Sequence, residues 1–234
     1  MNTLNINSNR FLLHWLVNAL SVWLSAGMAC FLAWLPFAVL ISVLGQFDNL
    51  LWLTGTIGTV ALLIVPGASI GYVIGDIQRN LIRDFLRWDF SDWQRATMFG
   101  GVLGGLAVIG SMLVLRAEIS LYWQWMLMMP LFILPISLMQ WRILRHHSRE
   151  AWVWVLGNLV AGIVFSGLFF NPNPFPIELN AVIDNILRWG ISASAQGIIT
   201  GIVMLWLYDH PASDWDDDAE LARVYLEIHS HDDR

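Results

Sequence analysis

Six long apolar runs, at residues 11–44, 51–75, 96–115, 119–140, 151–170 and 189–208, carry no Asp, Glu, Lys or Arg and constrain this chain more than any other feature. A helix needs about 20 apolar residues to cross the hydrocarbon of a bilayer, where it must satisfy its own backbone hydrogen bonds. The runs predict an all-α, polytopic integral membrane protein of six transmembrane helices, with spans at about 20–44, 51–75, 96–115, 119–140, 151–170 and 189–208. Composition agrees: a chain of 234 residues that is 57% hydrophobic and 13% charged cannot hide its apolar surface in one water-soluble core. The single cysteine, Cys30, provides no disulfide framework. Arg10 and the small residues at 26–30 resemble a cleaved signal, but the apolar run continues for fourteen residues past Cys30, which predicts retention.

Arginine is the only basic residue other than histidine, and its distribution predicts the orientation. With the N-terminus in the cytoplasm, Arg10, Arg79, Arg83, Arg87, Arg95, Arg142, Arg145 and Arg149 fall on the inner side, and only Arg116 and Arg188 on the outer. An even number of crossings then leaves the C-terminus cytoplasmic too. Tryptophan rings prefer the headgroup level. Trp15, Trp88, Trp93, Trp141, Trp152, Trp154 and Trp206 are expected as an inner belt, and Trp52, Trp123, Trp125 and Trp189 as an outer one. Trp23 and Trp34 fit neither.

The first run exceeds a bilayer's thickness. Its polar residues Arg10, His14, Asn18, Ser21 and Ser25 step by four, four, three and four and so share one helical face. Residues 10–23 read as an interfacial or partner-facing stretch entering a span that Pro36 can kink; one long tilted helix is the alternative. His14, Asn18, Ser21 and Ser25 are candidate partner contacts.

Small residues predict how the helices meet. Gly67, Gly71 and Gly75 recur every four positions, as do Gly100 with Gly104, Gly101 with Gly105, and Ala193 with Gly197 and Gly201. Such spacing lets backbones approach closely on one face. A faint internal repeat aligns Gln78-Arg79-Asn80-Leu81-Ile82-Arg83 with Gln140-Trp141-Arg142-Ile143-Leu144-Arg145, each followed by a basic segment and a tryptophan-marked return. Arginines at a helix C-terminus complement both its dipole and an anionic lipid surface. Arg79, Arg83, Arg87, Arg142, Arg145 and Arg149 are therefore topology anchors and candidate lipid-headgroup contacts.

The region 209–234 differs in kind, with nine acids and two arginines. Residues 214–229 read as a short acidic amphipathic helix whose apolar stripe, Leu221, Val224 and Ile228, is a candidate partner contact. The alternatives are a solvated tail or one folded onto the chain's own arginines.

Chemistry is conspicuous by its sparsity. The spans hold no carboxylate or histidine away from their ends, where ion-coupled transporters keep one. The polar residues at depth are neutral, among them Ser111, Ser137, Asn158, Ser166, Ser192, Ser194, Gln196 and Thr200. No catalytic or metal-ligating set and no nucleic-acid motif is seen, so the expectation is a non-enzyme without a metal. No cofactor is predicted. Bound lipid is expected, and a tetrapyrrole pigment would need a water or carbonyl ligand, because His14, His146, His147 and His210 lie near the boundary. Pro130 and Pro135, beside Met126, Met128 and Met129, suit either ordinary packing or an apolar ligand.

The Gln140–Arg145 segment, the tryptophan-rich return and Gln196-Gly197-Ile198-Ile199-Thr200-Gly201 resemble multi-pass bacterial membrane proteins of uncharacterised function that carry repeated glutamine-tryptophan and arginine helix ends. Size and span count are also similar to the substrate-binding components of energy-coupling-factor vitamin transporters, with Ala29 and Ala33 the trace of their coupling motif. Two readings follow. One is a non-catalytic integral subunit or scaffold of a larger bacterial membrane complex, in the cytoplasmic or a related internal membrane. The other is a solute-binding transport component for an uncharged or lipid-like ligand. Membrane lipids and other integral membrane proteins are the expected partners, and nucleic acid is not.

Overall fold

The structure, a computed structural model, describes residues 8–44, 46, 51–115, 121–170 and 181–211. The acidic tail from residue 212, with Leu221, Val224 and Ile228, lies outside the described residues, as do the side chains of Trp23, Cys30, Trp34, Trp52 and Trp125. Among the described residues there is helix and no strand. The helices are α1 (Ser8–Leu44), α2 (Leu51–Leu81), α3 (Trp93–Leu115), α4 (Leu121–Leu144), α5 (Trp152–Phe169) and α6 (Ala181–Asp209), with a π-helical turn, Ile82–Leu86, extending α2. Among the described residues, three stretches, Met126–Leu144, Trp152–Phe169 and Ile183–Asp209, are long and apolar enough to cross a membrane.

Apolar character faces outward. On α1 the large hydrophobics Leu13, Val17, Leu24, Met28, Leu32, Leu35, Val39 and Val43 are exposed, at the three- and four-residue steps of one helical face. Inside sit Thr97, Ser137, Gln140, Ser148, Asn158, Ser166, Ser192 and Thr200. Every buried polar side chain among the described residues is neutral. In water this arrangement would be unstable; in hydrocarbon the outward groups lose nothing, and most of the inward ones find partners, the Ser166 and Ser192 hydroxyls excepted.

Each helix packs mainly on its neighbours in sequence, and α6 returns to α1, closing a ring. Glycines set the closeness. A methyl group at Gly67 would strike the Gly101 carbonyl, and one at Gly71 would come within 2.5 Å of the Thr97 carbonyl oxygen, which locks α2 against α3. Gly100 and Gly104 serve the other side of α3, where an added methyl would meet Ile136 and Phe132 of α4. Gly197 and Gly201 receive Ala19 and Trp15 of α1, beside the buried Ala193. Gly75 abuts Gln94 and Thr97; Gly105 is half-buried.

α1 is one unbroken helix of 37 residues, about 55 Å long, with Pro36 inside it. α4 likewise continues through Pro130 and Pro135. Gly162 of α5 lies against Pro130, and Met128 and Met129 pack on a cluster of Val108, Phe132, Ile133 and Ile136. These prolines and methionines are thus occupied in packing. α2 ends differently: after its π turn, Arg87 adopts a left-handed backbone (φ 57°), and its N–H closes on the Arg83 carbonyl. That conformation usually falls to glycine or asparagine.

Candidate functional site

The ends of α2, α4 and α6 meet the beginnings of α3, α5 and α1, and at each meeting an indole donates a hydrogen bond across the helix pair. Trp93 Nε1 donates to Gln78 Oε1 at 3.2 Å, Trp154 Nε1 to Gln140 Oε1 at 2.9 Å, and Trp15 Nε1 to Thr200 Oγ1 at 3.1 Å. The internal repeat thereby acquires a physical meaning. Gln78 and Gln140 are the equivalent residues of two helix hairpins, each clasped by the tryptophan of its returning helix. A third clasp, between α6 and α1, uses Thr200 in the glutamine's place.

The clasps join at the axis. Gln140 Nε2 donates to Gln78 Oε1 at 2.8 Å and to Thr97 Oγ1 at 2.9 Å, and the Thr97 hydroxyl in turn donates to the Trp93 carbonyl at 2.7 Å. Because an indole N–H only donates, both glutamine amides are oriented without ambiguity. Gln140 is 1% exposed, so these bonds form away from solvent and gain strength from the low dielectric. Ring contacts seal the same level: Trp154 lies 6.0 Å from Trp93 and 6.5 Å, edge-on, from Trp15.

Three of the expected belt tryptophans are therefore core residues. Trp15, Trp93 and Trp154 are at most 3% exposed, because a neutral acceptor on the neighbouring helix satisfies each indole N–H and leaves the rest of the ring free to bury. Trp123 and Trp152, by contrast, are exposed. The sequence contained the signal in the recurrence of glutamine followed by tryptophan fourteen or fifteen residues later. Thr200 as the third acceptor carried no such mark.

Toward the chain ends the bundle is plugged by aromatics. Phe90 stacks on Trp93 at 5.4 Å and meets the His147 ring edge-on at 4.7 Å, while Trp88 bridges His147 and Tyr208. Burial pushes the His147 imidazole below its ordinary value of 6.5, with the neighbouring His146 adding to the effect and the Ile143 carbonyl opposing it. A histidine with a depressed native value adds no pH dependence above 6.5; below it, the unfolded chain binds the proton first and stability falls. The thermal midpoint is expected to drop between pH 7.5 and 5, and His147→Phe is expected to flatten that drop, as read by circular dichroism in detergent.

The arginines surround this end. Arg83, Arg87, Arg142, Arg145 and Arg149 are exposed and Arg79 is half-buried. Arg145 lies over the Trp141 ring at 5.7 Å. Arg79 reaches Asp89 at 3.8 Å, and its buried Nε has no hydrogen-bond partner among the described residues. Of the polar face of α1, His14 and Ser25 are exposed, and His14 leans on Phe85 at 5.0 Å. Ser21 Oγ donates to the Asn18 carbonyl at 3.0 Å, whereas the Asn18 side chain borders a partly open cavity with Gln78, Asn158, Gln196 and Thr200. Compared with protein-family models, with curated proteins and with solved structures, the chain matches none.

Proposed function

We propose that the chain crosses the membrane six times with both ends in the cytoplasm, and that it acts as a non-catalytic integral subunit or scaffold of a larger bacterial membrane assembly. The observation that carries this reading is the axial network. Trp93, Trp154, Gln78, Gln140 and Thr97 tie α2, α3, α4 and α5 together, and Trp15 with Thr200 ties α6 to α1. Pumps and ion-coupled carriers need a titratable group at depth and helices free to rearrange. Here the clasp residues bond one another and glycines fix the backbones in contact, which favours a rigid body presenting its outer faces to neighbours.

The orientation rests on eight described arginines, Arg10, Arg79, Arg83, Arg87, Arg95, Arg142, Arg145 and Arg149, lying at the end where α1 begins and α6 finishes. Phe11 and Leu207 share one buried cluster there, and Ser148 Oγ donates to the His210 carbonyl at 2.8 Å. We assign Arg79, Arg83, Arg87, Arg142, Arg145 and Arg149 to anionic headgroups and the tail beyond residue 211 to a protein partner. In a Cys30→Ser background, Asn5→Cys and Ser213→Cys should react with an impermeant maleimide only in inverted vesicles. Labelling of the two ends from opposite sides would refute the topology. Native mass spectrometry after mild extraction should give a complex of fixed stoichiometry, and a monomer in every detergent would refute the subunit role.

A further inference from the structure

Three clasp residues, Trp15, Gln78 and Thr200, line one cavity together with Asn18 and Asn158. It has a volume of about 50 Å3, lies between α1, α2, α5 and α6, and is lined by Trp15, Asn18, Gln78, Asn158, Gln196 and Thr200 among others. No lining residue is charged.

Donor and acceptor directions in it are fixed by groups that have no choice. Gln78 Oε1 already accepts from the Trp93 indole and the Gln140 amide, so the Gln78 N–H2 must point elsewhere. Accepting two bonds also polarises that amide and strengthens its N–H groups as donors. Asn18 commits its Nδ2 to the His14 carbonyl at 2.7 Å, and Asn158 commits its Nδ2 to the Trp154 carbonyl at 2.8 Å. Each asparagine keeps its Oδ1 and the second N–H of its Nδ2. Gln78 Nε2, Asn18 Oδ1 and Asn158 Oδ1 make no hydrogen bond among the described residues. The sealed atoms without partners are others: Arg79 Nε, Ser166 Oγ and Ser192 Oγ. All three residues line the cavity.

We propose that this cavity is a binding site for a small uncharged molecule carrying a primary amide or urea group. Its carbonyl oxygen accepts from Gln78 Nε2, and its N–H2 donates to Oδ1 of Asn158 and Asn18. An anion finds no cation in the lining and a cation finds no carboxylate. An apolar guest would leave three amide groups without partners. Space matches as well, since one water needs roughly 10–15 Å3 on this scale and the volume suits about four heavy atoms.

The test uses saturation-transfer NMR on the purified full chain in detergent, with acetamide and urea as probes against acetone and acetate. Acetone keeps the carbonyl and loses the donors; acetate adds a charge. Acetamide and urea are expected to saturate at about millimolar concentrations, as molecules of so few atoms allow, with acetone and acetate at least about tenfold weaker. Asn158→Leu should weaken acetamide about tenfold, the effect of one lost hydrogen bond to a buried partner, and Asn18→Leu, at the more open side, should weaken it less. Equal binding of acetone, or no saturable transfer from either amide, overturns the proposal. Those comparisons need only the unaltered protein, so they decide the matter even if a variant does not fold.

Discussion

Gln140→Leu is expected to be among the most damaging single substitutions in the chain, lowering stability by about 2–4 kcal/mol. Gln140 makes three buried side-chain hydrogen bonds, to Gln78, Thr97 and Trp154. Leucine fills a similar volume but abandons all three partners inside the bundle, where water does not replace them. Hydrogen bonds between membrane helices average about 0.6 kcal/mol and reach about 1.7, so three acting together give the range stated. Gln140→Glu sharpens the case. Protonated, it preserves shape, the acceptor for Trp154 and one donor, and loses only the second of the two N–H donors that served Gln78 and Thr97. Its loss should be smaller than that of leucine at low pH and grow as the pH rises and the carboxyl ionises. Ser137→Ala is the control, because Ser137 Oγ bonds only the Leu134 carbonyl of its own helix and should cost less than about 0.5 kcal/mol. Thermal unfolding in detergent, followed by circular dichroism, measures all three. A Gln140 effect no larger than that of Ser137 would remove the network from the account of stability.

The same network shows what a sequence discloses and what it withholds. The alignment of Gln78 with Gln140 was visible as text, since a repeat is a property of order. Their contact was not, because it joins residues 62 apart and depends on how two hairpins lie side by side. The Trp15–Thr200 bond spans 185 residues and exists only because the ring closes. Tryptophan was ambiguous for a chemical reason. An amphipathic ring is satisfied equally by a headgroup layer or by a buried acceptor, and only the neighbouring helix decides, as the exposed Trp152 and the buried Trp154 show two residues apart. The polar face of α1 was legible as a face, but its partner was not: the helix turns Asn18 toward its own bundle and leaves Ser25 outward. Apolar runs, by contrast, are local, and so are helix extents; Pro36 did not divide the first of them because the helix continues on either side.

Glycine spacing belongs to the local class, yet the magnitude of its effect depends on what lies opposite, and this gives the second large prediction. Gly101→Val is expected to destabilise the bundle severely and to prevent recovery of folded protein. A β-carbon at Gly101 would collide with the Gly67 carbonyl and come within 3.1 Å of the Gly71 α-carbon, and these are backbone atoms that cannot swing aside. α2 and α3 would have to separate, which would also strain the Trp93–Gln78 bond they share. Gly101→Ala carries the quantitative test. Helix propensity alone favours alanine over glycine by about 0.8–1.0 kcal/mol, whereas overpacking typically costs about 1–3 kcal/mol, so the net sign is unfavourable. Gly110 reverses it. An added β-carbon there meets nothing within 4 Å, so Gly110→Ala should leave the unfolding midpoint unchanged or raise it. Opposite signs at two glycines of one helix can arise only from what faces them, since backbone propensity is the same for both. A matching fall at Gly101 and Gly110 would instead mean that α3 needs glycine for its own flexibility and that the close approach to α2 is incidental.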